Sequence, residues 1–320
     1  MKNRILSLII PTKNRSNVLL SLLLTLNDQQ GNFEVIIVDD ASIDDTRKKV
    51  KNLSSKLNYN LIYVRSKHQL GLPAARNVGI NYSNYKIIGF LDDDCIPINK
   101  TLLMRAIRWL NLKNSNIIGV GGPVYTRTTV PPLSIPKIRG IKSCIENIEI
   151  LIYKPLILRF ANTLRGGNLF LKKELVEICG KFDTNFDGNY YREDTDLCMN
   201  MKKYGNLVSD PKMPVNHLNV NYGGCRRNIS EFYSNVLSNT TLLVMKHKKI
   251  LIEVFLDTFL HILTFLTRFI TGKEDDGTKI KRIKTLFSII QGIIIGLKKY
   301  FSNNKEDKEI IIEEVIKFKQ

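Results

Sequence analysis

Cysteine is scarce and scattered. The 320 residues contain five, at Cys95, Cys144, Cys179, Cys198 and Cys225, with no Cys-x-x-Cys pair. An odd, dispersed set argues against a disulfide framework or a zinc knuckle and suits a reducing compartment. A secretion signal is also missing: the apolar run Ile5–Ile10 is too short and leads into "PTKNR" without a small-residue cleavage site, so a cytoplasmic protein is expected. The same "PTKNR" stands where a dinucleotide-binding domain would carry Gly-x-Gly-x-x-Gly and a P-loop its glycines and lysine. Acidic residues are few, 30 against 48 Lys and Arg, a net charge of +18. A basic surface attracts nucleic acid, anionic lipid or phosphorylated substrates. No nucleic-acid-binding motif accompanies the charge, so nucleic acid is not the expected partner.

The first part of the chain alternates short β-rich apolar runs with helical patterns. Runs at 5–10, 34–40, 60–65, 86–92 and 116–122 read as strands, with crossover helices between them. That alternation predicts an α/β fold with a mostly parallel sheet covered on both faces. Ligands of such sheets bind beyond the carboxyl ends of the strands. Four prolines between 123 and 140 predict a long irregular loop there.

Carboxylates collect at those strand ends. "VDDASIDDT" places Asp39 and Asp40 after the second strand, with Ser42 or Asp44 available as a helix cap. "FLDDDCIP" places Asp92, Asp93 and Asp94 after the fourth. If the strand stays extended, Asp92 and Asp94 share one side and suit a divalent cation such as Mg²⁺ or Mn²⁺; a solvated acidic turn is the bland alternative. In "REDTDL", Glu193, Asp194 and Asp196 open a helix whose dipole they complement, which suffices for Asp196. A carboxylate following the aromatic turn "DGNYY" is also placed to act as a general base on a hydroxyl.

"SLIIPTKNR", "VDDASIDDT", "GLPAARNVGI", "FLDDDCIP", "GGNLFLKKELVEICGKFD" and "REDTDL", taken in this order and spacing, resemble the family 2 glycosyltransferases of the GT-A fold over roughly residues 4–225. The resemblance implies an inverting transfer from a nucleotide-sugar, with a UDP-sugar as donor, to a hydroxyl on a glycan or lipid-linked glycan. It implies that Pro11, Thr12 and Arg15 floor the nucleotide pocket, that Asp40 bonds the base and that Arg76 lies near the nucleotide. Asp92 and Asp93 would face ribose and diphosphate, and Asp94 would bind Mn²⁺ or Mg²⁺ together with His217. Gly166, Gly167 and Asn168 would line the sugar and acceptor site, with Glu193 in the sugar pocket and Asp194 as the base. A sugar nucleotidyltransferase would instead carry a glycine-rich basic loop after the first strand. Processive synthases carry Gln-x-x-Arg-Trp after the base motif. The lone Trp109 precedes that motif, with Arg105 in the Gln position, so transfer of a single sugar is expected.

The reading divides the chain into a catalytic domain, 1–228, and a basic helical region, 229–320. Residues 250–271 form a long apolar helix pattern with Glu253, Asp257, His261, Thr264 and Arg268 on one stripe. A second pattern, 283–301, carries Lys284, Ser288 and Gln291 on one face, glycines at 292 and 296, and cationic ends. Both suit helices lying on an anionic membrane, which places the protein at the inner face of the cell membrane. The tail after 302 is expected to form a short, loosely attached helix.

Overall fold

The computed structural model describes residues 5–126, 157–225, 229–248, 254–256, 258–259, 261–263, 279–302 and 309–319. The strands are β1 (Leu6–Thr12), β2 (Phe33–Asp39), β3 (Asn60–Ser66), β4 (Ile87–Leu91), β5 (Cys95–Pro97), β6 (Ile117–Gly121), β7 (Val124–Thr126), β8 (Arg159–Ala161), β9 (Asn168–Lys172), β10 (Asn206–Ser209), β11 (Val215–His217) and β12 (Ile312–Phe318). The helices are α1 (Ser16–Leu26), α2 (Thr46–Leu53), α3 (Leu72–Tyr82), α4 (Leu102–Leu110), α5 (Lys173–Ile178), α6 (Glu193–Met201), α7 (Ile229–His247) and α8 (Lys279–Ser302).

The five expected strands all form, and the four expected crossover helices α1 to α4 lie between them. Nine strands build the main sheet in the order β12-β3-β2-β1-β4-β9-β6-β10-β8. β3, β2, β1 and β4 run parallel, and β9 enters antiparallel between β4 and β6. The continuous burial of β1, β2 and β4 follows from apolar clusters on both sheet faces. A second, three-stranded sheet sets β11 antiparallel to β5 and parallel to β7.

The tail is a correction. β12 is a strand, not a helix, paired antiparallel with β3 at the sheet edge. "IEEVIKF" alternates side chains at period two, and β3 otherwise offers an unpaired ladder. Its charges match the neighbours: Glu314 meets Arg47 at 2.6 Å and Lys51 at 3.1 Å, and Glu313 meets Arg65 at 2.6 Å.

α7 and α8 pack closely. A Cβ added at Gly292 would lie 2.4 Å from the Ser234 carbonyl, and one at Gly296 would lie 2.4 Å from that of Ser238. Ser288, expected to share a face with Lys284 and Gln291, is buried while Gln291 is exposed, because the small residues of α8 form its contact with α7. Of the apolar helix expected over 250–271, the described residues are helical. Glu253, Asp257, Thr264 and Arg268 lie outside the described residues, as does most of the loop expected over 123–140; Pro123 and β7 are its described part. Among the described residues no helix is long and apolar enough to cross a membrane.

Candidate active site

The ends of β1, β2 and β4 meet where the sequence collects its carboxylates. The expectation that Asp92 and Asp94 share a side of an extended strand does not hold. β4 stops at Leu91 and the chain turns, with the Cys95 N–H bonded to the Asp92 carbonyl at 3.0 Å. The turn sends Asp92 one way and Asp93 with Asp94 the other, each toward an arginine. Arg15 Nη1 lies 2.8 Å from Asp93 Oδ1 and 3.1 Å from Asp94 Oδ2. Arg76 Nη2 lies 3.0 Å from Asp92 Oδ1, and its Nη1 lies 2.6 Å from Glu193 Oε1. The cations that make three consecutive aspartates tolerable are thus partly the protein's own.

Asp93 is buried, with Thr12 Oγ1 donating to Oδ2 at 2.8 Å and Arg15 to Oδ1. Burial pushes its carboxyl up to about 6, against the Arg15 contact. Asp40 accepts the backbone N–H groups of Leu70 (2.5 Å) and Gly71 (3.2 Å) and so ties the end of β2 to the start of α3. Burial raises its pKa despite those bonds. Neither Ser42 nor Asp44 is the N-cap of α2, which is Asp45; Asp44 instead ties the starts of α1 and α2 together, accepting the N–H groups of Ser16 at 3.0 Å and Thr46 at 3.1 Å.

Arg76, 1% exposed, is among the largest fully buried side chains. α3 delivers it under the glycine turn before β9. A Cβ at Gly166 would lie 2.7 Å from both Arg76 Nη atoms, and one at Gly167 would lie 2.9 Å from Asp92 Oδ2. A side chain at either position would therefore displace Arg76 or Asp92. Asn168 fixes the turn by donating from Nδ2 to the Met213 carbonyl at 2.7 Å. The Gly166 N–H donates to Asp194 Oδ2 at 2.7 Å and the Thr195 N–H to Oδ1 at 2.6 Å, so the carboxylate is held rigidly at the start of α6.

Burial, reinforced by neighbouring Asp194 and opposed by Arg76, pushes Glu193 up to about 8 from 4.5. Raised in the folded state, this group adds stability at pH below about 4.5 that is lost as pH climbs through about 8. Glu193→Gln should therefore flatten the fall in stability between these limits, with Asp92, Asp194 and Arg76 facing the position unchanged. Urea denaturation at a series of pH values checks it; an unchanged slope would refute the shift.

Asp94 and His217, 123 residues apart by number, are brought together by the small sheet. β11 sets His217 opposite Cys95, and His217 Nε2 lies 3.3 Å from Asp94 Oδ1. Apart from that contact, neither Asp94 Oδ1 nor His217 Nδ1, both buried atoms, has a hydrogen-bond partner. Unsatisfied buried acceptors of this kind fit a cation. Cys95 Sγ belongs to the same cluster, but burial pushes its thiol well above the usual range, and hard cations prefer oxygen.

Two adjoining cavities open here, of about 360 and 400 Å³. Pro11, Thr12, Arg15, Asp40 and Asp92–Asp94 line the first. Arg76, Gly166, Gly167, Glu193 and Asp194 line the second, and Asp92 and His217 belong to both. Asn189, Tyr190 and Tyr191 also border both, and Phe232 of α7 borders the first. The turn "DGNYY" signalled the tyrosines; nothing in the sequence signalled Phe232. Asp196 does more than complement a dipole: it is buried against Lys246 (2.9 Å) and His247 (2.8 Å) of α7. Trp109 and Arg105 both donate to Asp210 Oδ2, at 2.9 and 2.6 Å.

Residues 7–151 match the family model described as glycosyl transferase family 2. The amylovoran biosynthesis glycosyltransferase AmsB of Erwinia amylovora is 30% identical over 222 residues, 64% of this chain and 66% of that protein. The UDP-Glc:alpha-D-GlcNAc-diphosphoundecaprenol beta-1,3-glucosyltransferase WfgD of Escherichia coli is 30% identical over 106 residues, 33% of this chain and 41% of that protein. The chain thus spans only part of the curated relatives it matches, and no more than 13% of a Pasteurella multocida chondroitin synthase. The mannosyltransferase PcManGT of Pyrobaculum calidifontis, solved with GDP-Man and Mn²⁺, superimposes with a TM-score of 0.60 at 16% identity, covering 95% of this chain and 89% of that one. The fold is GT-A, with the helical C-terminal region appended. By sequence match and fold together, the chain belongs to glycosyl transferase family 2.

Proposed function

We propose that the protein transfers a single sugar, with inversion, from a UDP-sugar to a hydroxyl of a glycan or lipid-linked glycan at the inner face of the membrane. The observation that carries this reading is the pair of cavities sharing Asp92 and His217, with Asp94 beside one and Asp194 on the other. Residues 1–228 supply both cavities apart from Phe232 in the first and Val254 in the second, and 229–320 support them. The nucleoside diphosphate occupies the first cavity, floored by Pro11, Thr12 and Arg15, with Asp40 toward the base. Asp92 reaches the ribose and diphosphate directly, and Asp93 acts on them through Arg15 and Thr12, which fill its oxygens. The sugar lies beside Gly167, Arg76 and Glu193.

The acceptor oxygen attacks the anomeric carbon as the bond from that carbon to the diphosphate oxygen breaks, and the electron pair leaves with the nucleoside diphosphate. Asp194 takes the hydroxyl proton. Its two N–H bonds prevent rotation away from the acceptor, so positioning is settled before the substrate binds. Asp94 and His217 would hold Mn²⁺ or Mg²⁺, which when bound offsets charge on the departing diphosphate.

A thermal-shift and transfer screen of UDP-, GDP- and dTDP-sugars with Mn²⁺, Mg²⁺ or a chelator tests the reading. UDP with Mn²⁺ should stabilise the protein by about 2.7 kcal/mol at a hundredfold excess over Kd. Asp94→Ala and His217→Ala should each remove the metal-dependent part of that gain. Equal stabilisation with chelator, or transfer from GDP-sugars alone, would overturn the metal or the donor.

A further inference from the structure

α8 is patterned inside out. A helix of an ordinary globular domain turns its large apolar residues to the core and its small and polar ones to water. Here Ser288, Gly292 and Gly296 face α7, while Phe287, Ile290, Ile294 and Phe301 stand 66, 53, 47 and 72% exposed. At 3.6 residues per turn those four fall on one narrow face, which the exposed Gln291 and Lys298 share. The preceding segment does likewise: Phe255 and Phe259 are half exposed, while His261 turns inward to the Tyr191 hydroxyl at 3.0 Å. Small residues inward and bulky apolar ones outward is how helices pack when lipid surrounds them.

The charges choose between a bilayer and a second copy of the chain. α8 contains Lys279, Lys281, Arg282, Lys284 and Lys298, together with Lys299, which is taken up by Asp187, and no acidic residue. Two such faces would repel one another, whereas lysines and arginine at both ends of an apolar face complement anionic headgroups. We infer that the face bearing Phe287, Ile290, Ile294 and Phe301 docks the protein on an anionic bilayer, with α8 lying in the interface. The inference deepens the membrane-side reading proposed above and rests on it, but it is tested without turnover. Docking at this face also has a route to the site: Lys299 holds Asp187 at 2.5 Å, and α7 holds Asp196 of α6, the helix that begins with Glu193 and Asp194.

The experiment is co-sedimentation of the full chain with phosphatidylglycerol-rich or pure phosphatidylcholine vesicles. Wild type should pellet with the former and remain largely free of the latter. Serine at 287, 290, 294 and 301 together should lower partitioning at least about tenfold, given the apolar area withdrawn. Circular dichroism and transfer to a short, water-soluble acceptor should not change. Wild type left in the supernatant with both vesicles, or a serine variant that pellets equally, would overturn the proposal. So would a wild-type dimer that the serine variant abolishes, seen by light scattering, because the face would then belong to a second copy. Docking without transfer from any sugar nucleotide would sink the proposed reaction and leave the surface standing.

Discussion

Asp194→Asn lowers kcat for sugar transfer by about 10²–10⁴-fold, the range that a positioned general base supplies. UDP binding should hardly change, since Asp194 lines the second cavity and not the first. The substitution keeps the shape of the side chain but removes its capacity to take a proton. Asparagine has one acceptor oxygen, while the carboxylate accepts on both, from Gly166 and Thr195. One backbone N–H is therefore left facing an amide N–H₂, at about 1–3 kcal/mol of stability. Single-turnover rates and calorimetric UDP titration separate the two effects. A kcat within a few-fold of wild type would remove Asp194 from the role of base and redirect attention to Glu193.

Arg76→Met should cost about 3–5 kcal/mol of stability at pH above about 8, where Glu193 as well as Asp92 is charged and the substitution strands both carboxylates around a buried space. Arg76 answers Asp92 with one nitrogen and Glu193 with the other, and its guanidinium lies 5.2 Å from the ring centre of Phe182. Arg76→Lys should recover only part of the loss, since one ammonium cannot span both partners as a planar fork does. Adding Glu193→Gln to Arg76→Met should restore stability by removing one uncompensated charge. Urea midpoints of the four proteins test this. A loss below about 1 kcal/mol for Arg76→Met would mean that water reaches the pair and that the site is more open than the structure shows.

Local pattern made much of the fold legible. The runs at 5–10, 34–40 and 86–92 have apolar centres without polar alternation because both sheet faces are covered, and they sit within a residue or two of the strands found. β9 was harder to place. Its segment "NLFLK" reads as ordered, but its insertion between β4 and β6 depends on long-range pairing that no local period encodes. The tail misled for a similar reason. A run of isoleucine, glutamate and valine has its state decided by what it meets, and here it meets the open edge of β3 and three cationic side chains.

The sequence alone determined the kinds of residue at the strand ends, because charge and turn chemistry are local properties. Carboxylates after β2 and β4 are costly to bury unpaired in an apolar sheet, so their place at its polar edge follows from composition and order. Only the tertiary structure decided which cation each carboxylate meets. It alone set Arg15 against Asp93 and Asp94, Arg76 between Asp92 and Glu193, and His217 beside Asp94. It also turned the small face of α8 inward and left the apolar face outside. Each of these is a contact between segments distant in sequence, fixed by strand register and helix packing, where the energy belongs to the pair and not to either residue.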